Sequence, residues 1–233
     1  MENTKYSYTQ KDAKEIFSNI AKRYDVNNTL LSFGIHFLWK KKLVKELLSR
    51  TPLNGQVIDL CTGTGDILNY IDSDISAIGI DFCQEMLDIA EKKLRGKHKL
   101  MLGDALALDF QDNFANAVSI AFGVRNFSNL TRGLAEINRI TKKAGYVFIL
   151  EFGQPRNYLF RKIYNFYATY FLPNIANLFS KDKVAYKYLV ETSKTFPSDT
   201  EFKNVLLENH FKNISIIPLT FGIAYLYIMQ PDK

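Results

Sequence analysis

Gly63, Gly65, Asp81, Asp104, Arg125 and Asn126 are the residues of this chain whose types and spacing can do chemistry. The two glycines lie in Cys61-Thr62-Gly63-Thr64-Gly65-Asp66, directly after the apolar run Val57 to Cys61, where a buried parallel strand would end. Lacking a Cβ, they permit turn conformations and a close approach of a ligand to the backbone. A second strand-like run, Ile75 to Ile80, ends sixteen residues after Gly65 in Asp81. A carboxylate there can accept hydrogen bonds from both hydroxyls of a ribose. A third run ends in Leu102-Gly103-Asp104-Ala105, where Asp104 could accept from the exocyclic amine of adenine; its alternative role is a helix cap. The fourth ends Ala121-Phe122-Gly123-Val124-Arg125-Asn126, a polar pair facing the reacting end of such a ligand. In isolation Arg125 would be read as a surface cation. His36, between Ile35 and Phe37, is an outside candidate for a base.

These residues describe an adenosyl site in an open α/β sheet, where ligands lie beyond the carboxyl ends of the strands. A dinucleotide fingerprint needs a third glycine three residues after Gly65, and Leu68 stands there. A phosphate loop needs a Gly-Lys-Ser/Thr triplet, and none follows. Asp66 places negative charge where a pyrophosphate would sit. S-adenosylmethionine has no phosphate, and its sulfonium is compatible with Asp59 and Asp66. The cofactor expected is therefore S-adenosylmethionine. The run also resembles the first motif of class I methyltransferases, with Cys61 where many carry glycine.

The elements that must position these residues follow from periodicity. Strands are predicted at Gln56–Cys61, Ile75–Asp81, Lys99–Leu102, Ala115–Phe122, Tyr146–Phe152, Ile214–Pro218 and Tyr225–Met229. Helices are predicted between them, at Glu85–Leu94 with Gly96 ending it, and at Leu130–Thr141 with Gly145 opening the next strand. Alternating strands and helices imply an α/β fold, a mostly parallel Rossmann-like sheet with helices on both faces; strand order is not legible. The 233 residues suit one domain, 1–233, with residues 1–50 as an N-terminal helical lid and 156–197 as a helical insertion. The insertion places Leu159, Ile163, Phe166 and Tyr170 at helical spacing, interrupted by Pro173; most of these side chains are expected to pack against the N-terminal helix.

An apolar content of 47% with 14% aromatics excludes a disordered chain. Met1 to Lys14 lack the apolar stretch of a signal peptide, and no apolar run approaches the ~18 residues that span a bilayer. Cys61 and Cys83, placed on strand ends, have no metal-ligand spacing and read as free thiols in a reducing cytoplasm. A net charge of +6 permits nucleic acid or an anionic membrane face as partner.

Tyr24-Asp25-Val26-Asn27-Asn28, Leu31-Ser32-Phe33-Gly34-Ile35-His36, Trp39-Lys40, Gly63-Thr64-Gly65-Asp66, Phe122-Gly123-Val124-Arg125-Asn126, Leu150-Glu151-Phe152 and Tyr186-Lys187-Tyr188-Leu189 together resemble the UbiE/MenG family, the C-methyltransferases of menaquinone and ubiquinone biosynthesis. The resemblance runs from about Phe17 to Leu226. It implies a class I methyltransferase fold, S-adenosylmethionine as donor and a polyprenyl hydroquinone as acceptor, most simply demethylmenaquinol, with the benzoquinol step as alternative. It further implies cofactor contacts at Thr64, Asp81, Asp104 and Ala105, and a quinol pocket lined by Tyr24, Arg125 and Asn126. Ala121 replaces a serine common in the family. The tail Gly222-Ile223-Ala224-Tyr225-Leu226-Tyr227-Ile228-Met229 departs from the usual Gly-Val-Val-Ala-Leu-His-x-Gly.

Ring carbon is a poor nucleophile until an adjacent phenol loses its proton, so the acceptor must be the reduced hydroquinone. Arginine stays protonated and is a poor base. The expectation is that Arg125 and Asn126 orient a water that takes the proton, that Arg125 stabilises the phenolate, and that Tyr24 holds the ring. The absence of metal-ligand spacing disfavours metal-assisted O-methylation. A nucleic-acid methyltransferase would want Asn/Asp-Pro-Pro-aromatic after the fourth strand, where this chain has Ala121-Phe122-Gly123, so nucleic acid is not the expected partner. A non-catalytic S-adenosylmethionine-binding protein is the other rival. A prenylated acceptor brings the chain to the inner membrane face, and Arg156, Arg161, Lys162, Lys181 and Lys183 are read as a docking surface. A homodimer is left open.

Overall fold

The computed structural model describes residues 10–158, 160–162 and 183–233. Ile163, Phe166, Tyr170, Pro173, Leu159 and Lys181, on which part of the insertion reading falls, lie outside the described residues, as does the Lys183 side chain.

Seven strands form one sheet: β1 (Val57–Leu60), β2 (Ala77–Asp81), β3 (Lys99–Leu102), β4 (Ala115–Ala121), β5 (Thr141–Phe152), β6 (Phe211–Leu219) and β7 (Ala224–Pro231). Their order is β3-β2-β1-β4-β5-β7-β6. The first five run parallel, and β7 is antiparallel to both β5 and β6. The order in which strands are added switches from one side of β1 to the other between β1 and β4, and the crevice outside their carboxyl ends is where an open α/β sheet binds ligands.

Strand alternation divides the core into two layers. Val147 and Ile149 of β5, with Tyr225, Tyr227 and Met229 of β7, face α6 (Leu130–Ile140) and α8 (Thr200–Glu208). Phe148 and Leu150, with Ala224, Leu226 and Ile228, face α3 (Ile35–Leu48) and α4 (Asp66–Asn69). The periodic apolar residues of α5 (Gln84–Leu94) are all buried: Met86, Leu87, Ala90 and Leu94. Arg95 and Gly96 then both take left-handed conformations that end the helix.

Strands β1, β2, β4 and β7 differ from the periodicity reading by one or two residues at an end, and three further differences are larger or of another kind. Strand β5 starts at Thr141, not Tyr146, because pairing with β4 resumes across a bulge: Ala115 pairs with Thr141 and Ala117 with Tyr146. Gly145 lies inside that irregularity, where a Cβ would come 2.8 Å from the Asn116 carbonyl oxygen. Strand β6 extends beyond Ile214–Pro218 at both ends. Cys83 stands at the start of α5 rather than on a strand end.

The divergent tail is absorbed by packing. The Tyr225 ring fills space that Gly153 leaves, since a Cβ there would lie 2.4 Å from it. Its hydroxyl donates to the Gln154 carbonyl at 3.1 Å. The Tyr227 hydroxyl accepts from the Asp199 amide at 2.7 Å, and Asp199 in turn pairs with Arg156. Both rings are fully buried, and neither lines the cavity described below.

Above the carboxyl edge lie α1 (Gln10–Ile20), α2 (Tyr24–Ser32) and α7 (Lys183–Thr195). Ala13 and Ile16 of α1 bury against Tyr188 of α7, with Phe17 and Ile20 beside them. Among the described residues no helix is long and apolar enough to cross a membrane.

Candidate active site

A cavity open on one side lies at the carboxyl ends of β1, β2, β3 and β4. Asp81 projects into it from the end of β2, with only 6% of its surface exposed. One carboxylate oxygen accepts the Gly63 amide at 2.8 Å and the other the Cys83 amide at 3.0 Å. Asp81 thus pins the glycine turn to the start of α5. Each carboxylate oxygen has two lone pairs, so acceptor capacity remains for ribose hydroxyls. Burial pushes its pKa up, against the two amide donors.

Gly63 lines the cavity at φ +55°, and a Cβ there would meet nothing within 4 Å. Gly65, at φ +79°, instead packs against α5, where a Cβ would lie 3.1 Å from Leu94. Asp104 and Ala105 also line the cavity, and Asp104 caps its own turn by accepting the Leu106 amide at 2.9 Å. Asp104 thus caps a turn rather than a helix, since none lies between β3 and β4, and it also faces the ligand space. No Lys or Arg is among the described lining residues. A wall bearing two carboxylates and no cation fits adenosine and a sulfonium and would repel a pyrophosphate.

Cys61 explains a second glycine. It adopts φ +54°, the left-handed conformation that favours glycine. A Cβ on Gly123 would lie 2.5 Å from the Cys61 Cβ. The bulk allowed at the end of β1 is thus taken back at the end of β4.

Four polar residues lie elsewhere than the sequence reading put them. Asp59 is 1% exposed and holds the Thr62 and Ser119 hydroxyls, each at 2.7 Å; burial raises its pKa to about 6. Asp66 accepts Lys40 at 2.6 Å and Lys93 at 2.7 Å. Burial alone would raise its carboxyl, and the two lysines override it, bringing it down to about 2. Neither acid lines the cavity, so neither stands against a sulfonium there. The Thr64 hydroxyl donates to Asp25 at 2.6 Å and accepts from Lys93 at 3.0 Å. Its side chain belongs to this charged network, in which Lys93 also pairs with Asp25 at 2.7 Å. The network ties α2 and α3 to the glycine turn and α5.

His36 is the fourth. Its Nδ1 lies 2.6 Å from the Ser32 hydroxyl, its ring lies against Phe37, and it is not among the cavity-lining residues. Burial, then Lys40, lowers its pKa to about 4. Because the folded pKa lies below the unfolded value near 6.5, the stabilisation from His36 is complete above pH 6.5 and is lost as pH falls toward 4. Urea midpoints measured from pH 7 to pH 4 should fall less steeply in His36→Gln; an unchanged slope would rule out this contribution.

The end of β4 carries the polar pair. Asn126 and Tyr24 line the cavity. Burial raises the Tyr24 phenol, partly offset by nearby Arg125 and a hydrogen bond with Asn28. Tyr24 is therefore a protonated hydroxyl at neutral pH, suited to donate rather than to act as a base. Arg125 is buried behind this wall rather than in it. Its Nη1 donates to Glu151 at 2.8 Å and to the Phe122 carbonyl at 2.6 Å, and its guanidinium lies over the Phe152 ring. Among the described residues its buried Nε has no hydrogen-bond partner.

Glu151, Tyr188, Asp25, Lys40 and Lys93 were given no role by sequence reasoning. All but Lys93 stand inside the blocks that carried the resemblance, and that was the only available signal. Glu151 reads as a strand residue, yet it is fully buried and accepts three donors: the Arg125 side chain, the Arg125 amide and the Phe152 amide.

The chain is similar to known proteins. A ubiquinone/menaquinone biosynthesis C-methyltransferase UbiE of Geotalea uraniireducens is 39% identical over 234 residues, covering 96% of this chain and 98% of the relative. A demethylmenaquinone methyltransferase of Staphylococcus aureus is 34% identical, covering 94% and 92%. In fold the chain is similar to a SAM-dependent methyltransferase of Thermotoga maritima, with a TM-score of 0.67 at 19% identity over 93% of this chain and 98% of that one. S-adenosylmethionine is thus the cofactor for which the acidic, cation-free wall is built. The ubiE/COQ5 methyltransferase family model matches residues 4–230, and with the cavity and these relatives it follows that the chain belongs to that family.

Proposed function

We propose that this chain methylates a ring carbon of a polyprenyl hydroquinone, with demethylmenaquinol as the acceptor. The observation that carries the reading is that Asn126 and Tyr24 line the same cavity as Asp81 and Asp104. Asp81 would hold the ribose, Asp104 and Ala105 the adenine, and Gly63 and the Thr64 backbone the methionine end, the Thr64 hydroxyl being engaged and Gly65 seating the turn against α5. Bound S-adenosylmethionine supplies a methyl group on a positively charged sulfur.

The chain's own residues then have two tasks. Tyr24 and Asn126 offer donors to the acceptor's phenolic oxygen, and donors aimed at developing charge favour the phenolate that makes the ring carbon nucleophilic. Arg125 contributes its positive charge from behind the wall. Neither Tyr24 nor Arg125 is a base at neutral pH, so the phenolic proton leaves to water. In this reading the chain is a single domain, with residues 1–50 as a lid and 156–197 as a helical insertion, whose helix α7 packs through Tyr188 on Ala13 and Ile16 of α1.

A prenylated acceptor lies in a bilayer, and an exposed aromatic and basic surface suits its headgroup region. Phe221 is 76% exposed and stacks on Phe160, while Arg161 and Lys162 lie over the Tyr158 ring. Thr220, next to Phe221, accepts from the Trp39 indole at 2.9 Å, and Trp39 meets Phe122 of the cavity wall. Exposed aromatics beside cations favour an anionic lipid surface.

The test is transfer of labelled methyl to a prenylated naphthohydroquinone, a prenylated benzohydroquinone and RNA, the quinols being presented in anionic or neutral vesicles. Transfer to the naphthohydroquinone, fastest in anionic vesicles, is expected. Preferential transfer to the benzohydroquinone would shift the acceptor, and transfer to RNA alone would overturn the reading.

A further inference from the structure

The geometry points to Tyr188 as a positioning residue that sets the orientation of the Asn126 amide and makes it a donor toward the acceptor. The inference rests on the reading of the cavity as the quinol site. The Tyr188 hydroxyl donates to Asn126 Oδ1 at 2.8 Å. An amide has one oxygen and one NH₂, so engaging the oxygen from one side turns the NH₂ to the other. Among the described residues that NH₂ contacts the Phe122 carbonyl at 3.5 Å, the limit of hydrogen-bonding distance. Asn126 lines the cavity, so the donor face of its amide is presented where a phenolic oxygen would lie. With the amide reversed, the oxygen would face a developing phenolate and repel it.

Tyr188 is itself held. It is 4% exposed, and its ring meets Phe17 of α1 edge-on, with centroids 6.2 Å apart at 87°. Phe17 meets Tyr24 and Phe82 in the same manner, at 6.1 Å and 6.2 Å. Four aromatic rings from α1, α2, α7 and the end of β2 thus close around one edge of the cavity. The hydrogen bond to Asn126 is held by the packing of α7 on α1.

A double-mutant cycle in kcat tests this, because residues acting through one another are not additive. Asn126→Ala should lower kcat by about 100-fold, the scale of losing one donor to developing charge. Tyr188→Phe, which keeps the ring packed on Phe17, should lower kcat by about tenfold, the scale of one hydrogen bond, and leave cofactor affinity unchanged. In the Asn126→Ala background, Tyr188→Phe should cost less than about twofold, since no amide remains to orient. Tyr188→His, which restores a ring donor, should recover part of the activity; this variant also serves if the Phe protein melts early. A tenfold loss in both backgrounds would make Tyr188 merely structural, and no loss in the parent would also overturn the inference. If Asn126→Ala itself kept full turnover, the quinol-site reading would fall instead.

Discussion

Arg125→Ala is expected to lower folding stability by about 3–5 kcal/mol, because removing one partner of a buried ion pair strands the other charge. The Arg125 and Glu151 side chains are 4% and 1% exposed. In the variant the Glu151 carboxylate would keep two amide donors, from Phe152 at 2.8 Å and residue 125 at 3.3 Å, and lose the cation paired with it. For a chain of this size the change corresponds to a fall in Tm of roughly 10 °C. Turnover should fall as well, and most of that loss will reflect displacement of the Phe122 carbonyl and Asn126 rather than a missing contact with the acceptor. Combining Arg125→Ala with Glu151→Gln separates the two causes. No charge is then left buried, so much of the stability should return while turnover stays low. Urea midpoints and initial rates on the two proteins are the measurement. A double variant no more stable than Arg125→Ala would show that the ion pair is not what holds this end of β4.

Asp81→Ala should weaken S-adenosylmethionine binding by about 100-fold or more. Two hydroxyl hydrogen bonds to a charged acceptor are each worth roughly 1.5–3 kcal/mol. The loss is compounded locally, since Asp81 also anchors the Gly63 and Cys83 amides that shape the turn. Asp81→Asn is the sharper variant. It preserves size, yet its NH₂ must face one of those two amide donors, so the turn is disturbed even where one ribose contact survives. Titration calorimetry with the cofactor checks both proteins. Binding within threefold of the parent in Asp81→Ala would remove Asp81 from the cofactor site.

Arg125 and Asp81 mark how far the sequence could be read. Asp81 was legible because everything that defines it is local: a strand run, its carboxyl end, and a fixed distance from the glycine turn. Arg125 was legible as a motif residue and misplaced as a wall residue, because its partner Glu151 lies 26 positions away and has no signature as a strand residue. The same limit applies to Thr64 and Asp66. Their neighbours in sequence placed them at the ligand, and Lys93, Asp25 and Lys40 draw their side chains into a separate network.

The sequence by itself determined the strands and most of their ends to within a residue, the Gly63–Gly65 turn with its acid, and the choice of S-adenosylmethionine over a phosphate-bearing cofactor; the family came from the resemblance of its motif blocks. The former depend on periodicity, backbone freedom at glycine and short-range spacing, which neighbouring residues set. Only the tertiary structure decided the order β3-β2-β1-β4-β5-β7-β6, the burial of Arg125 against Glu151, the removal of Asp59 and Asp66 from the cavity, and the meeting of Tyr188 with Asn126. The physical reason is that a charge or hydrogen-bonding group takes whichever partner the packed fold brings within about 3 Å, and distance along the chain says nothing about that partner.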